Sequence, residues 1–389
     1  MKIGIIGGAM QGMEAAYLAR KAGYETLVID RARDAPAFSL ADEYVVMDPT
    51  GHRDDAARLL GDCDAVLPAC RDMNTLYRLY EALLRLDVPF LFDFDSYTIT
   101  SSRSATNNLM GNIGIKTPKR WQECGYPKMV KPASRRPAAG LTVAHDEREV
   151  TNAIRKIIGA GDEPIVEEFT LGKNVSMEVI GNGEEFMPFV TTEFFLNERC
   201  DRKGVVCSPD ILAGGMDKEF RDAVCKLAES IDLKALMEVK AVGTENELKV
   251  VELNACLPTE TPTAVLAATG INMLSKMIDP RCDKNNGNAG AGASSYEHFM
   301  IADGKMTACG ETEFRRIRYP HLERGMFGAD EMIIGRTFDN GPLLCAMINA
   351  ARDTDELDRK RAGCIESMMD EYRIDEFTDS GQSLFKKSL

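Results

Sequence analysis

The chain has 389 residues, of which 44% are hydrophobic and 28% are charged, and its formal net charge at pH 7 is −14. This length and composition are typical of a globular enzyme with two or three domains. The acidic balance argues against binding to nucleic acid or to an anionic membrane, because either partner would need a basic protein surface. We therefore expect small-molecule partners.

The start of the chain does not resemble a signal peptide, and together with the cysteine content this predicts a cytoplasmic protein. The apolar segment at the start, Ile3 to Gly8, is too short and too rich in glycine for a signal peptide, and no later segment is long enough to span a bilayer. The 11 cysteines contain no CxxC pair, and the chain has only 4 histidines. Reduced thiols are expected rather than disulfides or a zinc site.

The first ~95 residues alternate short apolar strands with amphipathic helices, which predicts a parallel sheet with helical crossovers. The predicted strands are Lys2–Ile6, Glu25–Ile29, Glu43–Met47, Ala65–Leu67 and Phe90–Phe92. The predicted helices are Met13–Ala22, Asp54–Leu60 and Asn74–Leu86.

A glycine turn, Gly7-Gly8-Ala9-Met10-Gln11-Gly12, follows the first predicted strand. It is close to the G-x-G-x-x-G motif, with alanine at the second glycine. Such a turn brings backbone N–H groups and a helix N-terminus to an anion, and Asp30 at the end of the next strand is suited to hold a ribose or an amine. A turn kept only for tight packing of strand against helix is the alternative.

A second, small domain is predicted to begin near Ser101. It contains a strand that ends in Lys131 and then a loop with Arg135 and Arg136. A strand lysine beside a basic loop would suit nucleotide phosphates, whereas a solvated hairpin tip is the alternative. A further apolar strand runs into Glu167, Glu168, Phe169 and Thr170.

Two polar residues, Glu252 and Asn254, alternate along an otherwise apolar strand. Residues i and i+2 face the same side of a strand. A carboxylate beside an amide carbonyl offers the hard oxygen ligands that Mg²⁺ prefers. The pattern predicts a metal-nucleotide site, and a strand whose asparagine opens a turn is the alternative.

This order of parts resembles the ATP-grasp superfamily. Within it, the chain is similar over about residues 1 to 310 to the ligases of pyrrolysine biosynthesis, which join 3-methyl-D-ornithine to L-lysine. The stretches that carry the likeness are Gly7–Leu18, Ala41–Glu43, Leu91–Phe94, Val175–Gly181, Thr261–Val265, Gly270–Asn272 and Tyr296–His298.

The resemblance implies an α/β, ATP-grasp fold with a doubly wound N-terminal domain, a central lid and a C-terminal α+β lobe. The expected bounds are 1–97, 98–172 and 173–389. It also implies an ATP-dependent carboxylate-amine ligase that uses ATP and Mg²⁺ and forms an amide through an acyl phosphate. A homodimer is expected by analogy with related ligases. The tail beyond about residue 370 has little apolar periodicity and is expected to be mobile.

Nucleotide contacts are implied at matching positions. Arg103 lies where the family usually has a phosphate-binding lysine, and Lys131 matches the strand lysine on the α and β phosphates. Asp30 and Asp48 would lie near the bound nucleotide. The adenine hinge would be Glu167, Glu168, Phe169 and Thr170.

Glu252 and Asn254 match metal ligands of the family. Lys240 lies where the family places its first acidic ligand, and an ammonium cannot ligate Mg²⁺ while it is protonated. Glu238, two residues earlier on the same strand face, is the expected replacement. Cys256 stands in place of an arginine that usually supports the transferring phosphate.

Substrate contacts are implied at Ser176 and Glu178, which match positions that hold the amino acid. An exposed strand acid is the alternative for Glu178. Met10 and Gln11 would touch the lysine substrate. Arg71 falls where these ligases have an acid for that lysine, and the neighbouring Asp72 is its expected substitute. Lys203 also lies in a stretch that is acidic in these ligases.

Three functions stay open. An amide-forming ligase leads, acting on 3-methyl-D-ornithine and L-lysine or, as a paralogue, on another amino-acid pair; the acid-to-base changes at Arg71, Lys203 and Lys240 favour the paralogue. A catalytically weakened ATP-grasp protein that binds nucleotide or an amino acid is the second. An NAD-dependent oxidoreductase is the third, and it leaves the Lys131 strand and the Glu252–Asn254 strand without a role.

Overall fold

A computed structural model describes residues 1–85, 87–133, 140–282, 292–382 and 384. The chain divides into two compact units. Unit 1 consists of Met1–Phe92, Phe195–Pro209 and Leu257–Leu389, and unit 2 of Asp93–Phe194 and Asp210–Cys256. Within the described ranges, no helix has both the length and the apolar character to cross a membrane. The three-domain division expected from the sequence stays a prediction.

The helices, numbered in chain order, are α1 Met10–Lys21, α2 Arg53–Leu60, α3 Met73–Leu83, α4 Phe94–Thr100, α5 Arg103–Asn112, α6 Glu147–Gly159, α7 Met216–Ser230, α8 Thr261–Thr269, α9 Met273–Ile278, α10 Glu311–Phe314 and α11 Thr354–Tyr372.

The strands are β1 Lys2–Ile6, β2 Glu25–Asp30, β3 Glu43–Val46, β4 Ala65–Pro68, β5 Lys128–Pro132, β6 Thr142–Ala144, β7 Pro164–Glu168, β8 Lys173–Gly181, β9 Phe186–Pro188, β10 Thr192–Leu196, β11 Arg202–Cys207, β12 Leu236–Gly243, β13 Leu248–Asn254, β14 Ala293–Ala302, β15 Lys305–Ala308, β16 Arg318–Arg324, β17 Glu331–Arg336, β18 Leu343–Ala351 and β19 Glu376–Thr378.

The first sheet of unit 1 is parallel and has the order β3-β2-β1-β4. Four of the five strands expected there are present. The prediction of a fifth strand at Phe90–Phe92 is wrong, because this segment makes only an isolated bridge from Phe90 to Val66. Helix α1 begins at Met10, three residues earlier than expected, since the glycine turn leads directly into it.

The glycine turn is shaped by close backbone contacts. Gly7 has φ +104°, a region that side chains rarely adopt. A Cβ on Gly12 would lie 2.2 Å from the carbonyl oxygen of Gly7. The Asp30 carboxylate accepts hydrogen bonds from the N–H groups of Gly8 (2.6 Å) and Ala32 (2.7 Å). The turn therefore depends on glycine at these positions and on Asp30.

The remainder of unit 1 is built around β14, which pairs antiparallel with β11, β15 and β18. Strands β17 and β16 extend from β18. Helix α11 buries Cys364, Ile365 and Met368 in the core beside this sheet. Within the tail that was expected to be mobile, Glu376–Thr378 form β19, which pairs parallel with β15, and residues 383 and 385–389 lie outside the described residues.

Unit 2 contains two sheets. The order β6-β5-β7 forms a small antiparallel sheet, and α6 packs the apolar side chains Val150, Ala153 and Ile157 against it. Strands β13, β12, β8 and β10 pair antiparallel in that order, with β9 on β8. The predicted phosphate loop with Arg135 and Arg136 lies outside the described residues.

We predict that Gly12→Ala lowers the free energy of unfolding by roughly 1–3 kcal/mol, because the new methyl group must push the Gly7 backbone aside. The control is Gly111→Ala in α5, where a Cβ meets nothing within 4 Å and helix propensity predicts a gain of up to about 1 kcal/mol. Thermal unfolding midpoints measure both. Equal midpoints for Gly12→Ala and the wild type would contradict this account of the turn.

Candidate functional site

One face of the main sheet in unit 2 is polar. Strand register sets Glu178, Glu238 and Asn254 in one row across β8, β12 and β13, and it sets Ser176, Lys240 and Glu252 in the next row. Directly paired residues lie side by side, and residues two apart share a face. We call these six residues the polar face: Ser176, Glu178, Glu238, Lys240, Glu252 and Asn254.

The charged groups of the polar face form a network. The Lys240 ammonium lies 3.3 Å from the Glu238 carboxylate and 3.4 Å from the Glu252 carboxylate. Arg103, at the start of α5, lies 3.1 Å from the other oxygen of Glu252 and donates to the carbonyl of Pro132 at 2.6 Å. Each oxygen of the Glu252 carboxylate therefore contacts a cationic side chain.

Two carboxylates of the polar face are buried. Glu178 is 0% exposed and Glu238 is 1% exposed. The alternative of an exposed acid at Glu178 is therefore wrong. Ser176 is also buried, and its hydroxyl hydrogen-bonds to Thr192 at 2.8 Å. Like charges directly opposite one another on neighbouring strands are destabilising, so this face requires cations close by.

The predicted phosphate residue Lys131 lies on β5, and the hinge residues Glu167 and Glu168 are the last two residues of β7. The Lys131 ammonium contacts the Glu167 carboxylate at 2.5 Å, and both side chains are buried. Glu168 is held by Lys249 (2.9 Å) and by the N–H of Lys119 (3.0 Å). The carboxylates of Glu167 and Glu168 therefore each contact a lysine ammonium.

The last two hinge residues, Phe169 and Thr170, carry no charge. The N–H of Phe169 donates to the Pro127 carbonyl at 3.4 Å. The hydroxyl of Thr170 is buried and makes no hydrogen bond among the described residues. A buried hydroxyl without a partner has lost its water contacts, so it is a candidate contact for a bound group.

The donor set suits Mg²⁺ held together with phosphate oxygens. Glu252, Asn254 and Glu238 offer hard oxygens on one face, and Mg²⁺ usually takes one or two protein carboxylates and completes its shell from phosphates and water. In the described part of the chain, no group of three or more acidic, histidine or cysteine side chains forms a cage for an ion. Cys256 contributes no cation, and its thiol lies 3.3 Å from the Asn254 side-chain oxygen.

The predicted residues of unit 1 are mostly engaged in local structure. Gln11 donates to the Leu257 carbonyl at 2.7 Å, and Met10 is buried at the start of α1. Asp72 caps α3 by accepting from the N–H of Thr75 at 3.2 Å, and Arg71 beside it is exposed. Asp48 is also exposed, and its carboxylate accepts from the N–H of Thr50 at 2.9 Å.

Unit 1 also holds a buried acid cluster that the sequence patterns did not reveal. Glu14 of α1 accepts from the N–H groups of Glu260 (3.1 Å) and Thr263 (2.8 Å). Glu260 lies 3.4 Å from Arg202 and 3.6 Å from His298, and its φ of +73° is unusual for a residue with a side chain. The sequence signal that could have revealed this cluster was Glu14, the one acid in the otherwise apolar stretch Met13–Ala16.

Burial dominates the protonation of this cluster. It raises the pKa of Glu14 from 4.5 to about 7, although hydrogen bonds from Thr263 and Glu260 oppose the shift. It also raises the pKa of Glu260 well above its ordinary value and lowers the pKa of His298 to about 3. A cavity with room for about one water molecule lies beside Met10, Glu14 and Glu260.

Lys203 belongs to a different network from the predicted sites. It is 1% exposed and pairs with Asp379 of the tail, while Arg361 contacts both Asp379 (3.1 Å) and Glu297 (2.7 Å). These residues anchor the tail beside β19. The acid-to-base change at Lys203 is therefore a packing feature of unit 1.

The chain is similar in sequence to known ligases. A family model described as an ATP-grasp domain matches residues 100–260. The chain is 32% identical over 272 residues to the 3-methyl-D-ornithine–L-lysine ligase of Methanosarcina mazei, with 69% of each chain covered. The corresponding ligase of Methanosarcina acetivorans is 31% identical, with 69% of this chain and 70% of the relative covered.

Solved structures share the fold. Biotin carboxylase from Campylobacter jejuni, solved as a complex with beta-gamma-ATP, superposes with a TM-score of 0.72 at 14% identity and covers 94% of this chain and 91% of its own. An ADP complex of N5-carboxyaminoimidazole ribonucleotide synthetase gives 0.67 at 18% identity, with 95% and 97% covered. The predicted α/β fold of the ATP-grasp type is confirmed.

Titration of Glu14 predicts a pH effect on stability. Because its pKa is higher in the folded chain than in the unfolded chain, the folded state binds the proton more tightly, and stability falls as pH rises from 4.5 to about 7. Glu14→Gln has no titrating group at this position, so its stability should not fall in this way. Between pH 4.5 and about 7, its free energy of unfolding should rise relative to that of the wild type by on the order of 3 kcal/mol.

Denaturant unfolding at a series of pH values measures the difference. The control is Glu371→Gln, an exposed acid on α11, whose curve should run parallel to that of the wild type. A parallel curve for Glu14→Gln as well would show that Glu14 does not titrate in this window.

Proposed function

Because this chain belongs to the ATP-grasp family and is an ATP-dependent ligase that uses Mg²⁺, we propose that it joins two amino acids, 3-methyl-D-ornithine and L-lysine, through an acyl phosphate. The observation that supports the proposal is the polar face, where Glu178, Glu238 and Glu252 lie in two adjacent rows around the Lys240 ammonium. The substrate pair is taken from the names of the relatives in Methanosarcina.

In the proposed reaction, a carboxylate oxygen of one amino acid attacks the γ-phosphorus of ATP and ADP leaves. The neutral amine of the second amino acid then attacks the acyl carbon, the C–O bond to phosphate breaks, and inorganic phosphate departs with the proton that the nitrogen loses as the amide forms. Bound Mg²⁺ supplies charge neutralisation on the phosphates. The protein's contribution is to position the reactants and to fix the charges around them.

Residue roles follow from the charges of unit 2. We assign phosphate contacts to Lys131 and Arg103, whose charged N–H groups suit phosphate oxygens. Glu252 and Asn254 face the same side of β13 and are assigned to the metal. Lys131 has to exchange its contact with Glu167 for phosphate when nucleotide binds.

Glu178 is assigned to the ammonium of an amino acid. Glu178 is buried and lies directly opposite Glu238, whose carboxylate is 3.3 Å from the Lys240 ammonium. A charged N–H group makes a strong hydrogen bond to a carboxylate, and the ammonium of an amino acid is such a group. The hydroxyl of Ser176, in the next row on the same strand, is suited to the substrate's polar atoms.

Two observations bear on the substrate pair and on the reaction class. Lys203, one of the changes that favoured a paralogue, pairs with Asp379 in the packing of unit 1, so its charge is no argument for different substrates. One oxygen of Asp30 accepts from Gly8 in the glycine turn and the other accepts from Ala32, which accounts for this acid without a nicotinamide cofactor. A homodimer stays a proposal.

The direct test is to incubate the protein with ATP, Mg²⁺, L-lysine and 3-methyl-D-ornithine, and to measure ADP release and amide mass together. We expect equal amounts of ADP and amide. ADP with no amide would replace the substrate pair by that of a paralogue, to be found by a screen of amino acids. Nucleotide binding without turnover on any amino-acid pair would overturn the ligase proposal in favour of a binding protein.

We predict that Lys131→Met lowers kcat/KM for ATP by at least about tenfold, because a charged hydrogen bond to phosphate is lost. The matched control is Lys116→Met, which removes a lysine of unit 2 that is 57% exposed and pairs with Glu219. Steady-state ADP release at varied ATP should leave that control close to the wild type. A similar loss in both variants would mean that Lys131 has no specific role.

A further inference from the structure

We propose that the Lys240 ammonium is a built-in cation of the phosphate-transfer site that takes the place of one divalent metal ion, so that the nucleotide complex binds a single divalent ion. The inference rests on the nucleotide-binding part of the proposed function. It concerns the role of Lys240, which the sequence presents only as a lost ligand.

The position of Lys240 is central. It lies on β12, the middle of the three strands that carry the polar face, and it is paired with Ser176 on one side and with Glu252 on the other. Its ammonium lies 3.3 Å from Glu238 and 3.4 Å from Glu252. A cation that neutralises both carboxylates is therefore supplied by the chain itself.

The ammonium is also held in place by its surroundings. Its nitrogen lies 5.9 Å from the centre of the Phe194 ring, within the range of a cation–π contact. The Lys240 side chain is only 18% exposed. A lysine restrained by two carboxylates and a ring has little freedom to leave, so its charge is present before any ligand arrives.

A divalent ion that bridged the same two carboxylates would compete with this ammonium. Mg²⁺ binds carboxylate oxygens at about 2.1 Å and would have to approach an existing positive charge at short range, where repulsion is strong. The Oε1 oxygen of Glu252, which faces Arg103 and not Lys240, and the side-chain oxygen of Asn254 still provide ligands for one ion.

Phosphoryl transfer needs positive charge near the transferring group, and a lysine can provide it as a point charge. A tethered ammonium costs no binding step and cannot diffuse away. It provides one charge where a divalent ion provides two, and it cannot be coordinated by phosphate oxygens. The number of divalent ions bound with the nucleotide is therefore the quantity that separates the two arrangements.

The test counts Mn²⁺ bound by the full chain at saturating non-hydrolysable ATP analogue, using the electron paramagnetic resonance signal of free Mn²⁺. We expect one ion for the wild type and two for Lys240→Glu, which exchanges the ammonium for a carboxylate. Lys240→Met opens the same space without adding a ligand, so its second ion should bind at least about tenfold more weakly than in Lys240→Glu. Lys116→Glu, a matched charge reversal elsewhere in unit 2, should still bind one ion.

Two ions in the wild type would overturn the inference, since Lys240 would then be an ordinary ion-pair partner that gives way to metal. One ion in both Lys240 variants would overturn it as well. If Lys240→Glu does not fold, as judged by its thermal unfolding, the wild type still decides, since one bound ion supports the inference and two overturn it. Failure of the wild type to bind the nucleotide analogue would instead remove the proposed function, and the inference with it.

Discussion

Compensation of buried negative charge is the constraint on which the candidate site depends. Glu178 and Glu238 are opposite one another on β8 and β12 and are both withdrawn from water. A buried ionised carboxylate is costly unless a cation or hydrogen-bond donors lie beside it. The Lys240 ammonium, 3.3 Å from the Glu238 carboxylate, provides part of that compensation, and the proposed amino-acid ammonium would add to it.

The same constraint operates in unit 1 with a different outcome. Glu14 and Glu260 are buried with Arg202 as the nearby cation, and burial raises the pKa of each acid. The opposing effects are hydrogen bonds and the attraction of Arg202 for Glu14, and the attraction of Arg202 alone for Glu260. An acid that becomes neutral by taking up a proton does not attract a cation. The polar face of unit 2, where lysine and arginine lie within contact distance of the acids, is therefore the better candidate for binding a charged substrate and nucleotide.

Much of this organisation could be predicted from sequence. Hydrophobic alternation located four strands of the first sheet, and the i, i+2 spacing of Glu252 and Asn254 predicted that they share a face. The segment Phe90–Phe92 has the composition of a strand, but it has only one bridging partner, Val66. Composition alone does not reveal which backbone will pair.

The contacts between distant residues could not be predicted in the same way. Lys240 looked like the loss of a ligand because spacing along one strand does not reveal that Glu238 and Glu252 both reach its ammonium. The pairing of Lys203 with Asp379 spans 176 residues and depends on where the tail folds back. Such contacts are set by strand register and tertiary packing, which a single sequence does not specify.

The central claim is that the γ-phosphate of ATP is transferred to the carboxylate of one amino acid and so activates it. The most direct test is to label the carboxylate oxygens of each amino acid in turn with ¹⁸O and to analyse the released phosphate by mass spectrometry. The account predicts that one ¹⁸O atom appears in phosphate when the activated amino acid carries the label. Unlabelled phosphate from both labelled substrates, while the amide still forms, would contradict it.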